Sequence, residues 1–201
     1  MAVVYLVLLA GWLLTVGVAR AVLHQRATGA QPVRFDDRPG SPPWWARLLG
    51  TFALLLAVPV PLADLAGLER LAALDTAGVA VGGVVLVIAG VVGIAASQVA
   101  MGDSWRADVD PDAHTDLVVT GPFRWVRNPI ALGTATTTVG LALVVPNVAA
   151  TAMLVFWGAS LQLQVRCVEE PYLARVHGPA YLSYAARTGR FLPGIGRLRS
   201  L

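Results

Sequence analysis

Apolar runs long enough to cross a bilayer recur five times along this chain, at about 2–23, 44–65, 76–100, 129–145 and 148–165. Such runs leave a chain of 201 residues few choices. Hydrocarbon offers the backbone no hydrogen-bond partner, so a spanning segment must bond within itself as a helix or close into a barrel. These runs lack the alternation of a barrel strand and have the length of a helix. The prediction is an all-α, polytopic membrane helical bundle of about five transmembrane helices, with a cytoplasmic helical tail. Only 13% of residues are charged, against about a quarter in soluble domains. The chain is thus expected to form one membrane domain over 1–201. The polar segments 101–128 and 166–201 are too short for a second domain and fall on one face.

The basic residues fix the expected orientation. All fifteen are Arg. Arg20, Arg26, Arg34, Arg38 and Arg47 flank the loop after the first span. Arg106, Arg124 and Arg127 lie between the third and fourth, and Arg166, Arg175, Arg187, Arg190, Arg197 and Arg199 follow the fifth. Arg70 alone falls in a loop on the other side. Basic residues concentrate on the cytoplasmic side, so the N-terminus is expected outside and the C-terminus inside. The pI of 9.6 does not indicate nucleic-acid binding, because the Arg residues border apolar spans instead of forming one patch. The first span has no basic n-region or clear cleavage signature and reads as retained. The Arg-only, Ala/Val/Gly-rich composition suggests a high-GC bacterium, hence an inner-membrane location. The single cysteine, Cys167, permits no intrachain disulfide and reads as a small buried hydrophobe.

Local signals refine the bundle. Trp44 and Trp45 suit an interfacial belt at the start of span two. Pro59 and Pro61 should kink its far end. Gly78 and Gly82, in span three, have the small-xxx-small spacing that lets helices approach closely. Pro146 and Asn147 join spans four and five as a tight hairpin. Gly178 and Pro179 should break the tail into two short helices.

Two stretches carry candidate chemistry, His114–Pro129 and Glu169–Tyr184, the latter followed by Arg190–Pro193. Asn128 is a strong N-cap type and Pro129 suits the first helical position. Span four should start there, with its free N–H groups and dipole forming an anion site beside Arg127. A ligand carboxylate would fit; contact of Arg127 with lipid phosphate is the alternative. Glu169 and Glu170 stand at the membrane edge, where carboxylates are costly unless solvated or paired. Neighbours on a helix diverge by about 100°, so one is expected to face a pocket and the other Arg or water. An ion pair with Arg124, Arg127 or Arg166 is equally open. Tyr181 and Tyr184 share a helix face, for packing or for walling a pocket. Asp103, Asp108, Asp110, Asp112 and Asp116 are dense but lack the calcium-loop spacing, and no metal is expected.

At these residues the chain resembles the isoprenylcysteine carboxyl methyltransferase family of membrane methyltransferases. The resemblance runs through Leu117, Val118, Val119, Thr120, Gly121, Phe123, Arg127, Asn128, Pro129, Glu169, Glu170, Leu173, Gly178, Tyr181, Tyr184 and Pro193. The Met101–Arg106 stretch resembles the segment after the third span in bacterial members. About half the chain, Gly93 to Pro193, is covered. Two positions depart: Asn128 stands where the family has His, and Ala131 where an aromatic is common. Asn cannot serve as a base near neutral pH.

The resemblance implies transfer of a methyl group from S-adenosylmethionine to a lipophilic or prenylated acceptor, such as a prenylcysteine-like carboxylate. It implies that Arg127, Asn128 and Glu170 are catalytic. His114, Leu117, Val118, Val119, Thr120, Gly121, Phe123, Arg127, Pro129, Glu169, Glu170, Tyr181 and Tyr184 would contact the cofactor. Within that set, Arg127 would take the methionine carboxylate, Glu169 or Glu170 the ammonium or ribose, and a tyrosine the sulfonium. Two other readings stand beside it: an NADPH-dependent reductase of the sterol-reductase type, whose Arg-His-Pro-Asn helix start is similar, and a non-catalytic relative that binds lipid or a partner.

Overall fold

The computed structural model describes residues 1–29, 37–102 and 116–198. Among these every regular element is helical. The first span is one long rod: α1 (Ala2–Trp12), a π-helical segment (Leu13–Ala19) and α2 (Arg20–Thr28). Thr15 turns its hydroxyl back onto the Gly11 carbonyl at 2.6 Å, a bond that loosens a helical ladder. Span two is α3 (Pro42–Ala57) and α4 (Pro59–Leu65), broken at Val58. Pro59 and Pro61 remove the donors that would bridge that break. Pro42 and Pro43 form the first turn of α3, where proline forfeits no bond, and Ser41 caps the helix through the Trp44 amide.

Span three is α5 (Ala77–Met101), capped by Thr76. Then follow α6 (Pro129–Val144), α7 (Val148–Leu163), a second π-helical segment (Gln164–Glu169) and α8 (Glu170–Arg187). Gly178 kinks α8 with φ 50° and ψ −126°, a conformation glycine adopts without the strain of a Cβ. The run Val148–Arg187 is 40 residues long. At 1.5 Å per residue that is about 60 Å, twice a hydrocarbon core, so only its first half crosses.

Among the described residues four helices are long and apolar enough to span. The fifth, α6, has 16 residues, or roughly 24 Å of rise. It tolerates that shortness by lying inside the bundle, with Gly133, Thr137, Leu141 and Val144 buried. The outer rods instead present Val3, Val7, Phe52, Leu55, Val81, Ile88, Val92 and Val155 outward. Apolar surface of this extent is stable against lipid, not water. The protein is an integral membrane protein.

The closest packing joins α5 to α6. A Cβ on Gly83 would stand 2.7 Å from the Gly140 carbonyl, and one on Gly140 2.6 Å from that of Gly83. Two turns along, Gly90 and Gly133 face each other likewise, at 2.6 and 3.0 Å. Gly78 and Gly82, expected from spacing to serve this purpose, meet nothing within 4 Å. The small-xxx-small pattern named the wrong pair; the contact repeats every two turns instead. Cys167 is exposed, contrary to the buried position expected of it.

The two ends of the bundle are pinned by polar side chains. At one end Asn147 is fully buried; it caps α7 through the Ala150 amide at 2.9 Å and donates to the Val60 carbonyl at 3.1 Å. Arg70 grips Asp64 and Asp75 there. At the other end Gln98 donates to the Val16 carbonyl, inside the first π-helical segment, at 2.9 Å. Arg20 closes the end of α5 by donating to the Gly102 carbonyl at 2.7 Å. This second end gathers the start of α6 and all of α8.

Candidate functional site

The site begins where the chain re-enters the bundle before α6. Gly121, at φ 58°, opens a short 3-10 turn to Arg124 and lies against Ala100 of α5. Residues 126–128 then run parallel to the extended residues 189–190 after α8. The Arg127 amide donates to the Gly189 carbonyl at 2.8 Å and the Asn128 amide to the Arg190 carbonyl at 3.1 Å. Asn128 holds the cap position of α6, but its side chain makes no cap bond. Its Nδ2 donates to the Arg190 carbonyl instead, at 3.2 Å. The expected capping side chain is thus a tail anchor, and among the described residues the first-turn amides of α6 have no side-chain acceptor.

Arg127 is the centre of this region. Its side chain is 1% exposed. Nε and Nη2 donate to Glu170 Oε1 at 3.2 and 2.8 Å. Nη1 donates to the carbonyls of Ala185 and Thr188, and Nη2 also to that of Gly196. A guanidinium has five N–H donors, and all are engaged by the protein. The expectation that Arg127 clamps a ligand carboxylate finds no donor left to do so.

Glu170 is the counter-charge. Its Oε1 also accepts from Arg190 Nε at 2.9 Å, and its Oε2 accepts from Arg190 Nη2 at 2.8 Å. Burial raises the carboxyl's pKa, but the bonds from Arg190 and Arg127 outweigh it and hold it below the ordinary 4.5. Glu170 is therefore an ionised ion-pair partner. Of the two glutamates, it realises the ion-pair alternative. A depressed carboxyl pKa contributes stability that is complete above the unfolded value and is lost as pH falls through the folded one. The melting temperature should hold steady above about pH 5 and drop below about pH 4, with Glu170→Gln lower at neutral pH and flatter in acid. An unchanged slope in that variant would show that other carboxylates carry the acid sensitivity.

The remaining expected residues divide into packed and open. Tyr181 and Tyr184 form a small core with Ala185, against which Leu117 and Leu173 pack. The rings meet edge to face at 6.3 Å. Tyr184 donates to the Phe123 carbonyl at 2.5 Å; the Tyr181 hydroxyl lies against the Arg127–Glu170 pair. Burial pushes both phenols up to about 12. Both tyrosines are buried in this core, as the packing alternative expects. Phe123 and Pro129 are buried, Val118 is half-buried, and Val119, Thr120 and Gly121 are exposed. Glu169 is half-buried on the second π-helical segment, where Gln164 donates to it at 3.3 Å. His114 lies outside the described residues, as do Asp103, Asp108, Asp110 and Asp112.

Sequence reasoning did not single out Arg190, Thr188 or Gly196 as site-building. A signal was present for Arg190 alone, since Arg190–Pro193 stood among the informative stretches. What spacing could not show was that the tail curls back through Arg190 N–H to the Ile195 carbonyl and delivers the Gly196 carbonyl to Arg127.

The sequence profile of phospholipid methyltransferases matches residues 79–180. The match takes in α5, the segment before α6, both hairpin helices and α8 to just past its kink. It bears out the resemblance to membrane methyltransferases. No curated protein matches the chain.

Proposed function

The chain belongs to the phospholipid methyltransferase family, and on that premise we propose that it moves a methyl group from S-adenosylmethionine to a lipophilic acceptor. The observation that carries this reading is the coincidence of the family match with the end of the bundle that holds the buried Arg127–Glu170–Arg190 group. Residues 79–180 include Arg127, Asn128 and Glu170 and the segments that carry them, while the last two turns of α8 and the tail complete the group from outside the match.

The residues present fit such a cofactor. The backbone of Val119, Thr120 and Gly121 is open and offers both donors and acceptors to a nucleoside. The first-turn amides of α6 have no side-chain cap and favour an anionic group. Glu169, at the same edge, suits an ammonium or ribose hydroxyls. Bound there, S-adenosylmethionine supplies a methyl group on a cationic sulfur. The protein's part is orientation and exclusion of water. Glu170 is held ionised and fully hydrogen-bonded, and Asn128 has no basic nitrogen, so neither takes a proton. An acceptor that arrives as an anion, such as a lipid-borne carboxylate, asks nothing of these two residues, whereas an amine must first lose a proton to another group such as Glu169. A lipophilic acceptor reaches this end of the bundle sideways, through the bilayer edge.

Calorimetric titration of the detergent-purified protein with S-adenosylhomocysteine and with NADPH tests this. Saturable binding of the first and none of the second is the expected result. NADPH binding alone would replace the reading with a membrane reductase; binding of neither would leave a non-catalytic relative.

A further inference from the structure

Resting on the S-adenosylmethionine reading above, we infer that Arg190, and not Arg127, is the guanidinium that receives the carboxylate of the cofactor's methionine moiety. The two arginines share one counter-ion. Arg127, Arg190 and Glu170 together carry one unbalanced positive charge, in a region largely closed to water. Arg127 cannot present that charge, because its donors end on Glu170 and on three backbone carbonyls. Arg190 can. Its Nε and one Nη2 hydrogen are fixed side-on by the two Glu170 oxygens. Its Nη1 group and the second Nη2 hydrogen bond no acceptor among the described residues. Its side chain is 17% exposed against 1% for Arg127.

Glu170 thereby does for Arg190 what a bidentate partner does generally: it freezes the planar fork in one rotamer and leaves the opposite edge for a second carboxylate. The Arg190 backbone is fixed as well, since its carbonyl accepts from both the amide and Nδ2 of Asn128. The guanidinium is therefore carried on a backbone tied to the start of α6 and is itself held by Glu170. Asn128 acts here as a positioning residue, which accounts for an amide where the related family carries a histidine.

The test is a comparison of two ligands on the full detergent-purified chain: S-adenosylmethionine and its decarboxylated form, which lacks only the carboxylate. Calorimetry should show Arg190→Gln losing roughly ten- to hundredfold affinity for S-adenosylmethionine with little change for the decarboxylated ligand. Arg190→Lys should recover part of the loss, as a point charge without the fork. Equal weakening of both ligands in a variant whose tail still resists trypsin would overturn the inference, as would unchanged affinity for S-adenosylmethionine. If the tail of Arg190→Gln is cleaved, Arg190→Lys decides by the same two-ligand comparison. A wild-type protein that binds neither ligand would instead remove the cofactor reading on which the inference stands. Wild-type protein binding both equally would remove the inference alone.

Discussion

Replacing Arg127 with alanine will release the tail from the bundle and lower stability by about 3–5 kcal/mol, the usual consequence of deleting one partner of a buried ion pair. Four separate attachments go at once. Glu170 keeps Arg190 but loses two of its four hydrogen bonds, and the carbonyls of Ala185, Thr188 and Gly196 lose a donor each. Those carbonyls belong to the last turn of α8 and to the turn after it, so the loss is felt along the whole segment 185–196. Trypsin reads it directly: cleavage after Arg187, Arg190 and Arg197 should accelerate while the bundle stays intact. Arg127→Lys should give little relief, because one ammonium cannot reach acceptors spread around a planar fork. A fully protected tail and an unshifted melting curve in Arg127→Ala would show that the backbone ladder at Val126 and Gly189 holds the tail by itself. The prediction also separates this residue from a ligand clamp. A clamp would lose ligand affinity with the tail in place; Arg127 should lose the two together.

The membrane bundle was readable from sequence because bilayer thickness turns hydropathy into helix length with few alternatives. The hairpin at Pro146 and Asn147 was equally accessible, whereas α3 starts at Pro42, two residues before the Trp pair expected at its opening, because Ser41 caps it and proline is tolerated in a first turn. The site was readable only as a set of stretches. Residues 117–129 and 169–184 do come together at one end, but which side chains face inward depended on bonds that spacing does not encode. Glu169 and Glu170 were symmetrical candidates until the second π-helical segment rotated one toward Arg127 and Arg190 and the other toward Gln164. Tyr181 and Tyr184 were correctly placed on one face, yet whether that face was pocket or core was decided by Leu117 and Leu173. Asn128 was misjudged for a related reason: its side chain had two uses, capping α6 or holding the tail, and the nearby Arg190 carbonyl won. Gly78 and Gly82 failed because a spacing rule says what could pack, and α5 turns that side outward.

The same comparison yields the largest expected effect within the bundle. Gly90→Leu should prevent α5 and α6 from docking, whereas Gly82→Leu should be nearly silent. At Gly90 even a methyl group would lie 2.6 Å from the Gly133 carbonyl and 2.8 Å from the Thr137 amide. Both are backbone atoms of the buried helix and cannot turn aside. Moving α6 away to make room would open the matching contact at Gly83 and Gly140, because both helices are rigid over those two turns. Overpacking of a tight core ordinarily costs about 1–3 kcal/mol; here the obstruction is backbone on backbone, and the loss should reach or exceed the top of that range. It should also reach the site, since α6 carries Asn128 and Pro129 at its start and α5 supports Gly121 through Ala100. Gly90→Ala should already show a clear drop in melting temperature. Gly78→Ala and Gly82→Ala should match or slightly exceed the wild type, because alanine favours a helix by about 1 kcal/mol over glycine and meets nothing within 4 Å at either position. Melting curves of these variants in one detergent decide it. Equal effects at Gly82 and Gly90 would mean that the two faces of α5 are packed alike, and the arrangement of α5 against α6 would have to be redrawn.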